Sequence, residues 1–317
     1  MEAAQVGAET VRQATAPPKK GITDRARAER KLAWLLCAPA VIAMLVVTGY
    51  PIVYAVYLSL QRYDLRFPDD KEFVGLSNYA DVLSSSTWWG DVVNTLIITV
   101  VSVSFELVLG MLIALVMHRA IFGRGPVRAA ILIPYGIITV VAAFAWKYAF
   151  DPTSGFVANL PLISDTAQPL NTHNGSLLVI ILAEVWKTTP FMALLLLAGL
   201  ALVPDELHEA AKVDGASTLQ RFFRITIPLM RPAILVALLF RTLDAFRIFD
   251  NIYIIQPGGA LNTESVSILG YNVTINRVNV GLGSAISILI FLCVIVIAVF
   301  FVKALGTSTA QQRGEAK

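Results

Sequence analysis

The sequence predicts an all-α membrane protein with six transmembrane helices, and three observations lead to this fold class. Hydrophobic residues make up 56% of the 317 residues and charged residues only 15%, with a mean hydropathy of +0.68, outside the usual range of soluble domains. Six apolar runs are each long enough to cross a bilayer core of about 30 Å, which takes roughly 20 helical residues. None of the runs alternates between apolar and polar residues as the strands of a membrane barrel do.

The six runs divide the chain into a transmembrane domain and two tails. The domain is expected over residues 31–306, between a partly disordered N-terminal tail over 1–30 and a C-terminal tail over 307–317. The disorder is predicted for residues 1–20 from their low hydrophobicity. The first apolar run is too long and begins too late for a cleaved secretory signal, so we expect the N-terminus to be retained. The predicted spans are Ala33–Leu60, Val92–Met117, Val127–Phe150, Leu177–Val203, Ala233–Gln256 and Val280–Leu305.

Basic residues outside the spans are concentrated on one side of the predicted membrane. Counted by alternating side, 16 Lys and Arg residues lie on the side of both termini and 4 lie on the other side. Cytoplasmic loops carry the excess of basic residues in membrane proteins. We therefore expect both tails in the cytoplasm and three segments facing outward, namely Gln61–Asp91, Asp151–Ser176 and Pro257–Asn279.

Several function classes find no support in the sequence. The basic residues flank apolar runs instead of forming one patch, which argues against nucleic-acid binding. Cys37 and Cys293 each lie inside an apolar run, so neither a disulfide framework nor a metal site is indicated. The histidines His118, His173 and His208 are scattered, and no H-E-x-x-H or G-x-S-x-G motif points to a hydrolytic enzyme.

A patterned segment lies between the fourth and fifth spans, on the predicted cytoplasmic side. Pro204 and Asp205 are typical of a helix start, and Gly215 is typical of the left-handed residue that follows a helix end. Ser217 and Gln220 have the spacing of a capping box that begins a second helix. The pattern therefore predicts a helix–turn–helix unit.

This unit is expected over residues 204–232, with Pro228 and Pro232 ending the second helix before span five. Spacing alone leaves two interpretations open. The unit can dock in a groove of another protein, or it can lie against the membrane surface. The apolar residues available for docking are Leu207, Ala210, Ala211 and Val213.

The same segment closely resembles the EAA loop of permease subunits of bacterial ATP-binding-cassette importers. It contains Glu209-Ala-Ala, Gly215 four residues after Ala211, and Ile225-x-Ile-Pro, with Ile227 standing where the family often has leucine. In that family the loop is a coupling helix that sits in a cleft of the cytoplasmic ATPase. The residues to which the resemblance assigns this coupling role are Glu209, Ala210, Ala211, Asp214, Gly215, Ile225 and Pro228.

The resemblance extends over most of the chain. Tyr50-Pro51 and the stretch Asp244–Asn251 are similar to carbohydrate-uptake permeases of the maltose-transporter type, and Ala183–Phe191 most resembles the permeases of mycobacterial trehalose importers. The segment Gln61–Asp91 lacks the large insertion of the enterobacterial maltose permease. The resemblance implies the type I importer permease fold, the bacterial inner membrane as location, and a disaccharide such as trehalose as substrate.

An ATP-driven transporter must bind phosphates, but the chain contains no G-x-x-x-x-G-K-[ST] loop. ATP hydrolysis is therefore expected on another chain, and this chain is expected to be a transport subunit that holds no cofactor or metal. The resemblance implies four kinds of partner: a second six-helix permease, two ATPase subunits with ATP and Mg²⁺, an extracytoplasmic sugar-binding (lipo)protein, and membrane lipid.

Ionisable side chains inside the spans are costly unless they are paired or functional. Eight Asp, Glu, Lys and Arg residues lie more than two positions from a span end, and three pairs of them have i, i+3 spacing, so that each pair can be neutralised within one helix. The pairs are Glu184 with Lys187, Arg241 with Asp244, and Arg247 with Asp250; the remaining two residues are Glu106 and Lys147.

The alternative interpretation is that some of these groups line a sugar pathway, because charged groups can bind sugar hydroxyls and aromatic faces can stack on sugar rings. The candidate residues for this pathway are Trp146, Glu184, Trp186, Lys187, Asp244, Phe246, Arg247, Asp250 and Tyr253. Two alternative functions remain open. A secondary transporter would also have six spans, although we see no inverted repeat. A permease of the same class could carry a different sugar or a polyol phosphate.

Overall fold

The structure is a computed structural model that describes residues 24–119, 124–157 and 168–315. The segment predicted to be disordered, residues 1–20, lies outside the described residues. The chain divides into two compact units, Met1–Tyr54 and Ala55–Lys317.

The described residues are almost entirely helical, with one short antiparallel hairpin. The two strands are β1 Gln61–Arg62 and β2 Glu72–Phe73. The α-helices are α1 Asp24–Met44, α2 Tyr50–Ser59, α3 Ser77–Ser84, α4 Ser86–Arg119, α5 Arg124–Gly136, α6 Thr139–Ala149, α7 His173–Leu200, α8 Asp205–Val213, α9 Thr218–Arg221, α10 Ile227–Ala245, α11 Asp250–Ile255, α12 Val266–Tyr271 and α13 Val280–Glu315. Three π-helical turns, Leu45–Gly49, Phe222–Thr226 and Asn272–Asn276, and two 3₁₀ turns, Pro169–Asn171 and Pro257–Asn262, complete the helical segments.

In the part of the chain that the structure describes, five helical segments are long and apolar enough to cross a membrane, and α5 with α6 makes a sixth if the bent pair counts as one span. Two of the predicted spans contain a break. The third span bends by 88° between Gly136 and Thr139, just after Pro134. The fifth span is interrupted between Ala245 and Asp250. Apolar composition alone predicts length, and it does not report such breaks.

Two prolines follow π-helical turns and do not end their helices. Tyr50 N–H bonds to the Leu45 carbonyl and Ile227 N–H to the Phe222 carbonyl, each five residues back, and Pro51 and Pro228 come next. Proline lacks an N–H and clashes with the carbonyl four residues earlier. In the wider π turn the hydrogen bond runs five residues back, and here its donor is the residue just before the proline. The prediction that Pro228 and Pro232 end a helix is therefore wrong, because helical structure continues from Thr218 to Ala245.

The second unit is built around α4 and α7, which form its most extensive helix pair. At Gly110, a Cβ atom would lie 2.9 Å from Met192 Cγ, so glycine is needed where the two helices approach. Met192 and Ala193 are fully buried beneath this contact. The helix α10 packs against both members of the pair, α13 packs on α10, and α12 contacts α4. The core therefore holds together helices that are distant in sequence.

Candidate functional site

The helix α8 begins the predicted coupling segment. Pro204 is its N-cap with an extended backbone, Asp205 and Glu206 lie in its first turn, and Lys212 lies in its last turn. Acidic side chains at the start and a basic one at the end both favour a helix through its dipole. After the helix, Gly215 adopts φ +77°, a left-handed conformation that only glycine takes without strain.

The helix α9 starts with the predicted capping box. Ser217 N–H donates to Gln220 Oε1 at 2.8 Å, and Gln220 N–H donates to Ser217 Oγ at 3.3 Å. This reciprocal pair satisfies two free donors of the helix start. From here the chain stays helical to Ala245, so the turn at Gly215 is connected to the membrane by one continuous helical rod.

The predicted coupling residues fall into two groups by exposure. The predicted coupling residues in α8 and in the turn after it are exposed, except for Ala211, which is half-buried. The two that lie further along the rod differ from each other, since Ile225 is half-buried and Pro228 is exposed. Large apolar side chains are also exposed beside them, with Val213 at 88% and Leu207 at 44%. An exposed apolar strip on a short helix outside the spans fits docking in a protein groove.

At the other end of the rod lies a buried charge network centred on Arg241. Its side chain is fully buried, with Nε 2.5 Å from Glu106 Oε2 and Nη2 2.6 Å from Glu184 Oε1. Its Nη1 donates to Asp244 Oδ2 at 2.8 Å. Glu106 comes from α4 and Glu184 from α7, so one guanidinium links three helices. The cost of burying such charges is offset when every donor and acceptor is paired.

The same network reaches the interruption of the fifth span. Thr188 Oγ donates to Glu106 Oε1 at 2.8 Å, and Asn251 Nδ2 donates to Glu184 Oε2. Asn251 lies in α11, directly after the break, while Arg241 lies in α10, before it. Glu184 thus holds both halves of the broken span. Among the described residues, no group of three His, Cys, Asp or Glu side chains is arranged to hold a metal ion.

The i, i+3 pairing is confirmed for Arg241 with Asp244 and is wrong for the other two pairs. Lys187 Nζ donates to the Ile137 carbonyl at 2.8 Å, at the bend of the third span. Arg247 Nε donates to the Leu243 carbonyl at 3.2 Å. Both cations therefore bond to backbone carbonyls, Lys187 at the break of another span and Arg247 four residues earlier in its own chain segment.

Lysine also stabilises the end of the broken fifth span. Lys147 Nζ, from α6, donates to the Ile254 carbonyl at 3.0 Å, in the last turn of α11. Lys187 has the corresponding role at the end of α5. A cation near helix C-terminal carbonyls is favoured by the helix dipole and satisfies an acceptor that has no partner in its own helix. Lys187 therefore caps the break in the third span, and Lys147 caps the far end of α11, each from a neighbouring helix.

The predicted sugar-pathway residues do not form one surface. Phe246, Glu184 and Lys187 are 3%, 7% and 9% exposed, and therefore lie within the protein core. Trp186 is 40% exposed, and the side chain of Asp244 is 67% exposed although Arg241 holds one of its oxygens. The remaining four are exposed (Arg247, Asp250) or half-buried (Trp146, Tyr253).

Aromatic side chains gather in two groups near these residues. Trp146 stacks on Phe150 at 5.8 Å between centroids and meets Trp186 edge-on at 6.1 Å. Tyr253 stacks on Phe249 at 5.3 Å, and both contact Tyr271 edge-on. Sequence reasoning missed Phe150, Phe249, Tyr271, Thr188 and Asn251. A search for every aromatic and amide residue near span ends could have found some of them, but it could not have grouped them.

Comparison with known proteins identifies the family. Residues 74–310 match the family model described as "Binding-protein-dependent transport system inner membrane component". The chain is 56% identical over 299 residues to the trehalose transport system permease protein SugA of Mycobacterium tuberculosis, covering 94% of this chain and 96% of that protein. It is 42% identical over 281 residues to the trehalose/maltose transport system permease protein MalF of Thermococcus litoralis, covering 87% and 94%.

Solved structures share the fold. A bacterial ABC transporter involved in the import of the acidic polysaccharide alginate contains a chain that superposes with a TM-score of 0.74 at 24% identity, covering 90% of this chain and 99% of that one. The predicted type I importer permease fold is therefore confirmed. With three quarters of its length matched by the family model, the chain belongs to the family of inner membrane components of binding-protein-dependent transport systems.

Proposed function

We propose that this chain is the first of two permease subunits of an ATP-driven importer whose substrate is trehalose. The observation that carries the proposal is the 56% identity, over nearly the full length of both chains, to a permease named for trehalose transport. A second relative, at 42% identity, is named for trehalose and maltose. The alternative within the same class is a different solute, since relatives at 32% and 31% identity are named for sulfoquinovosyl glycerol and sn-glycerol-3-phosphate.

In this proposal the exposed strip of α8 docks in a cleft of a cytoplasmic ATPase. The helix dipole and capping box keep α8 and α9 folded, and Gly215 sets the angle between them. ATP and Mg²⁺ would bind to the ATPase partners, and this chain would contribute only the shape and the apolar area of its contact with them. The orientation that places the segment in the cytoplasm is supported by the excess of basic residues on its side of the membrane.

The continuous rod from Thr218 to Ala245 suggests how movement of the ATPase reaches the pathway. Motion at α9 is carried to Arg241, which is bonded to α4 and α7 as well. Alternating access then follows from a shift of the rod relative to these helices, with the interruption at residues 246–249 acting as the hinge. Two such permeases would enclose the pathway, and an extracytoplasmic binding protein would deliver the sugar.

The part of the pathway formed by this chain would use side chains that are exposed and able to contact sugar. Asp244 offers a free carboxylate oxygen for hydroxyl groups, and Trp186 offers an aromatic face. Glu184 and Lys187 would instead act as supports, because the core holds them. Secondary transport receives no support beyond the number of spans, since it gives no role to the coupling segment.

The proposal is tested by reconstituting the chain with its second permease, ATPase and binding protein in liposomes. Trehalose uptake should require ATP, and trehalose should stimulate ATP hydrolysis more than maltose or sn-glycerol-3-phosphate does. Uptake that continues without ATP would refute the importer. Stimulation by sn-glycerol-3-phosphate but not by trehalose would keep the class and change the substrate.

A further inference from the structure

An apolar groove separates α4 from the coupling segment. It has a volume of about 970 Å³ and runs between the cytoplasmic half of α4 and the helices α8 to α10. Along α4 the side chains of Val108, Leu112 and Val116 form one wall and are 60%, 55% and 62% exposed. Their spacing of four residues places them on a single helix face.

The opposite wall is apolar as well. Leu219 and Phe223 line the groove and are 71% and 64% exposed. They belong to the rod rather than to α8, so they are distinct from the strip proposed to dock in the ATPase. Two facing apolar walls of this size call for an apolar occupant.

The rim of the groove is polar and carries a net positive charge. Lys212 and Arg221 supply two full positive charges against the single negative charge of Asp205, and His118 and His208 complete the rim. Arg221 Nη2 donates to Thr218 Oγ at 3.3 Å, but its Nε is buried without a hydrogen-bond partner. The planar guanidinium of an arginine that lines the groove matches the oxygens of a phosphate group.

We propose that this groove binds an anionic phospholipid. Its acyl chain would lie between the α4 face and the rod, and its phosphate would accept from the Arg221 guanidinium, with Lys212 nearby. The groove joins a membrane-spanning helix to a segment outside the membrane, which is the depth at which lipid headgroups lie. Basic pockets at this level are typical sites for acidic lipids.

An apolar helix of a second permease fits the groove less well. It would cover the two walls, but it would bring the charged rim against apolar surface. Assignment of the lipid to the cytoplasmic leaflet rests on the proposed orientation. The lipid-binding site does not depend on that orientation, so an experiment that refuted the orientation is distinguishable from one that refuted the site.

Lipid retention by the purified transporter complex tests the proposal. The complex is equilibrated with vesicles containing equal parts of phosphatidylglycerol and phosphatidylcholine, purified again, and examined by native mass spectrometry. Phosphatidylglycerol should be retained in preference to phosphatidylcholine. Arg221→Gln should reduce that retention about fivefold, the effect expected for one basic residue at an anionic headgroup. Arg224→Gln, an exposed position outside the groove lining, should have no effect.

A second variant tests the acyl-chain part. Leu112→Trp fills the groove without changing charge, and it should lower crosslinking of a photoactivatable phosphatidylglycerol to residues 107–116. Equal retention of the two lipids by the wild-type complex, or unchanged retention in Arg221→Gln, would overturn the proposal. So would crosslinking of residues 107–116 to the second permease in place of lipid.

Discussion

Arg241 Nε lies 2.5 Å from Glu106 Oε2, and both side chains are completely buried although 135 positions separate them in the chain. This contact joins the rod that leads from the coupling segment to the central helix of the core. Because Glu184 and Asp244 share the same guanidinium, Arg241 is the single cation paired with these three carboxylates in the part of the chain that the structure describes. Loss of Arg241 and loss of a single carboxylate therefore differ in their effect on the stability of the protein.

We expect Arg241→Met to destabilise the protein more than Glu106→Gln does. Removing the arginine leaves two buried carboxylates without a counter-charge, which costs about 3–5 kcal/mol. Removing the Glu106 charge leaves Arg241 paired with Glu184 and Asp244. Thermal unfolding of the purified complex in detergent measures the difference. Arg247→Met, which removes a bond to a carbonyl in an exposed position, is the control; equal midpoints for Arg241→Met and Glu106→Gln would contradict the network.

The partners of Glu184 can be tested with double-mutant cycles. We expect Glu184→Gln and Arg241→Met to be strongly non-additive, since the two groups share a bond of 2.6 Å. Glu184→Gln and Lys187→Met should be additive within about 0.5 kcal/mol, because Lys187 bonds to the Ile137 carbonyl. Unfolding midpoints of the single and double variants give both coupling energies. Stronger coupling to Lys187 than to Arg241 would restore the simple i, i+3 pair.

Gly215→Ala should impair coupling through backbone strain alone. A Cβ atom at this position would meet nothing within 4 Å, but φ is +77°, and an L-residue there costs roughly 1–2 kcal/mol. Gly90→Ala is the matched control, because its Cβ would also meet open space and no positive φ is involved. Sugar-stimulated ATPase activity should fall in the first variant and persist in the second. Intact activity with a bulky Gly215→Val would rule out a coupling role.

Exposed and buried members of the predicted sugar pathway should behave differently. Trp186→Ala and Asp244→Asn should raise the sugar concentration needed for half-maximal uptake while the unfolding midpoint changes little. Phe246→Ala should lower the midpoint, since this ring is 3% exposed and its loss leaves a cavity worth about 3–5 kcal/mol. Trp89→Ala serves as the control for loss of an exposed indole. Normal uptake in both pathway variants would remove them from the pathway.

The carboxyl of Asp151, in the turn after the third span, should titrate near pH 2. Thr153 and Ser154 donate four hydrogen bonds to Asp151 Oδ1, and these bonds lower the pKa of this carboxyl to about 2. Because the folded pKa is below the unfolded value of about 3.9, the stabilisation is complete above that value and is lost as the pH falls towards 2. The carboxyl carbon shift of Asp151 in labelled protein reports this titration. A midpoint near 4 would show that the turn does not hold the carboxylate.

The sequence by itself determined the features that are encoded locally. A run of about 20 apolar residues has to cross a bilayer, a Ser and a Gln three residues apart cap a helix, and a glycine marks a left-handed turn. These signals correctly predicted the spans, the α8–α9 unit and the Arg241–Asp244 pair. The continuity of the helix that runs into the fifth span was harder to predict. Proline normally ends a helix, whereas here a π turn accommodates it.

Tertiary structure alone decided how the buried charges are shared. Arg241 meets Glu106 and Glu184 because three helices distant in sequence converge on it, and no periodicity within one helix can encode that meeting. The same holds for Lys187, whose partner is a carbonyl at the break of the third span, and for Lys147, whose partner is a carbonyl at the end of α11. A buried charge must take the best partner available in three dimensions, since leaving it unpaired costs several kcal/mol. Local spacing sets which partners are near in sequence, and packing sets which are near in space.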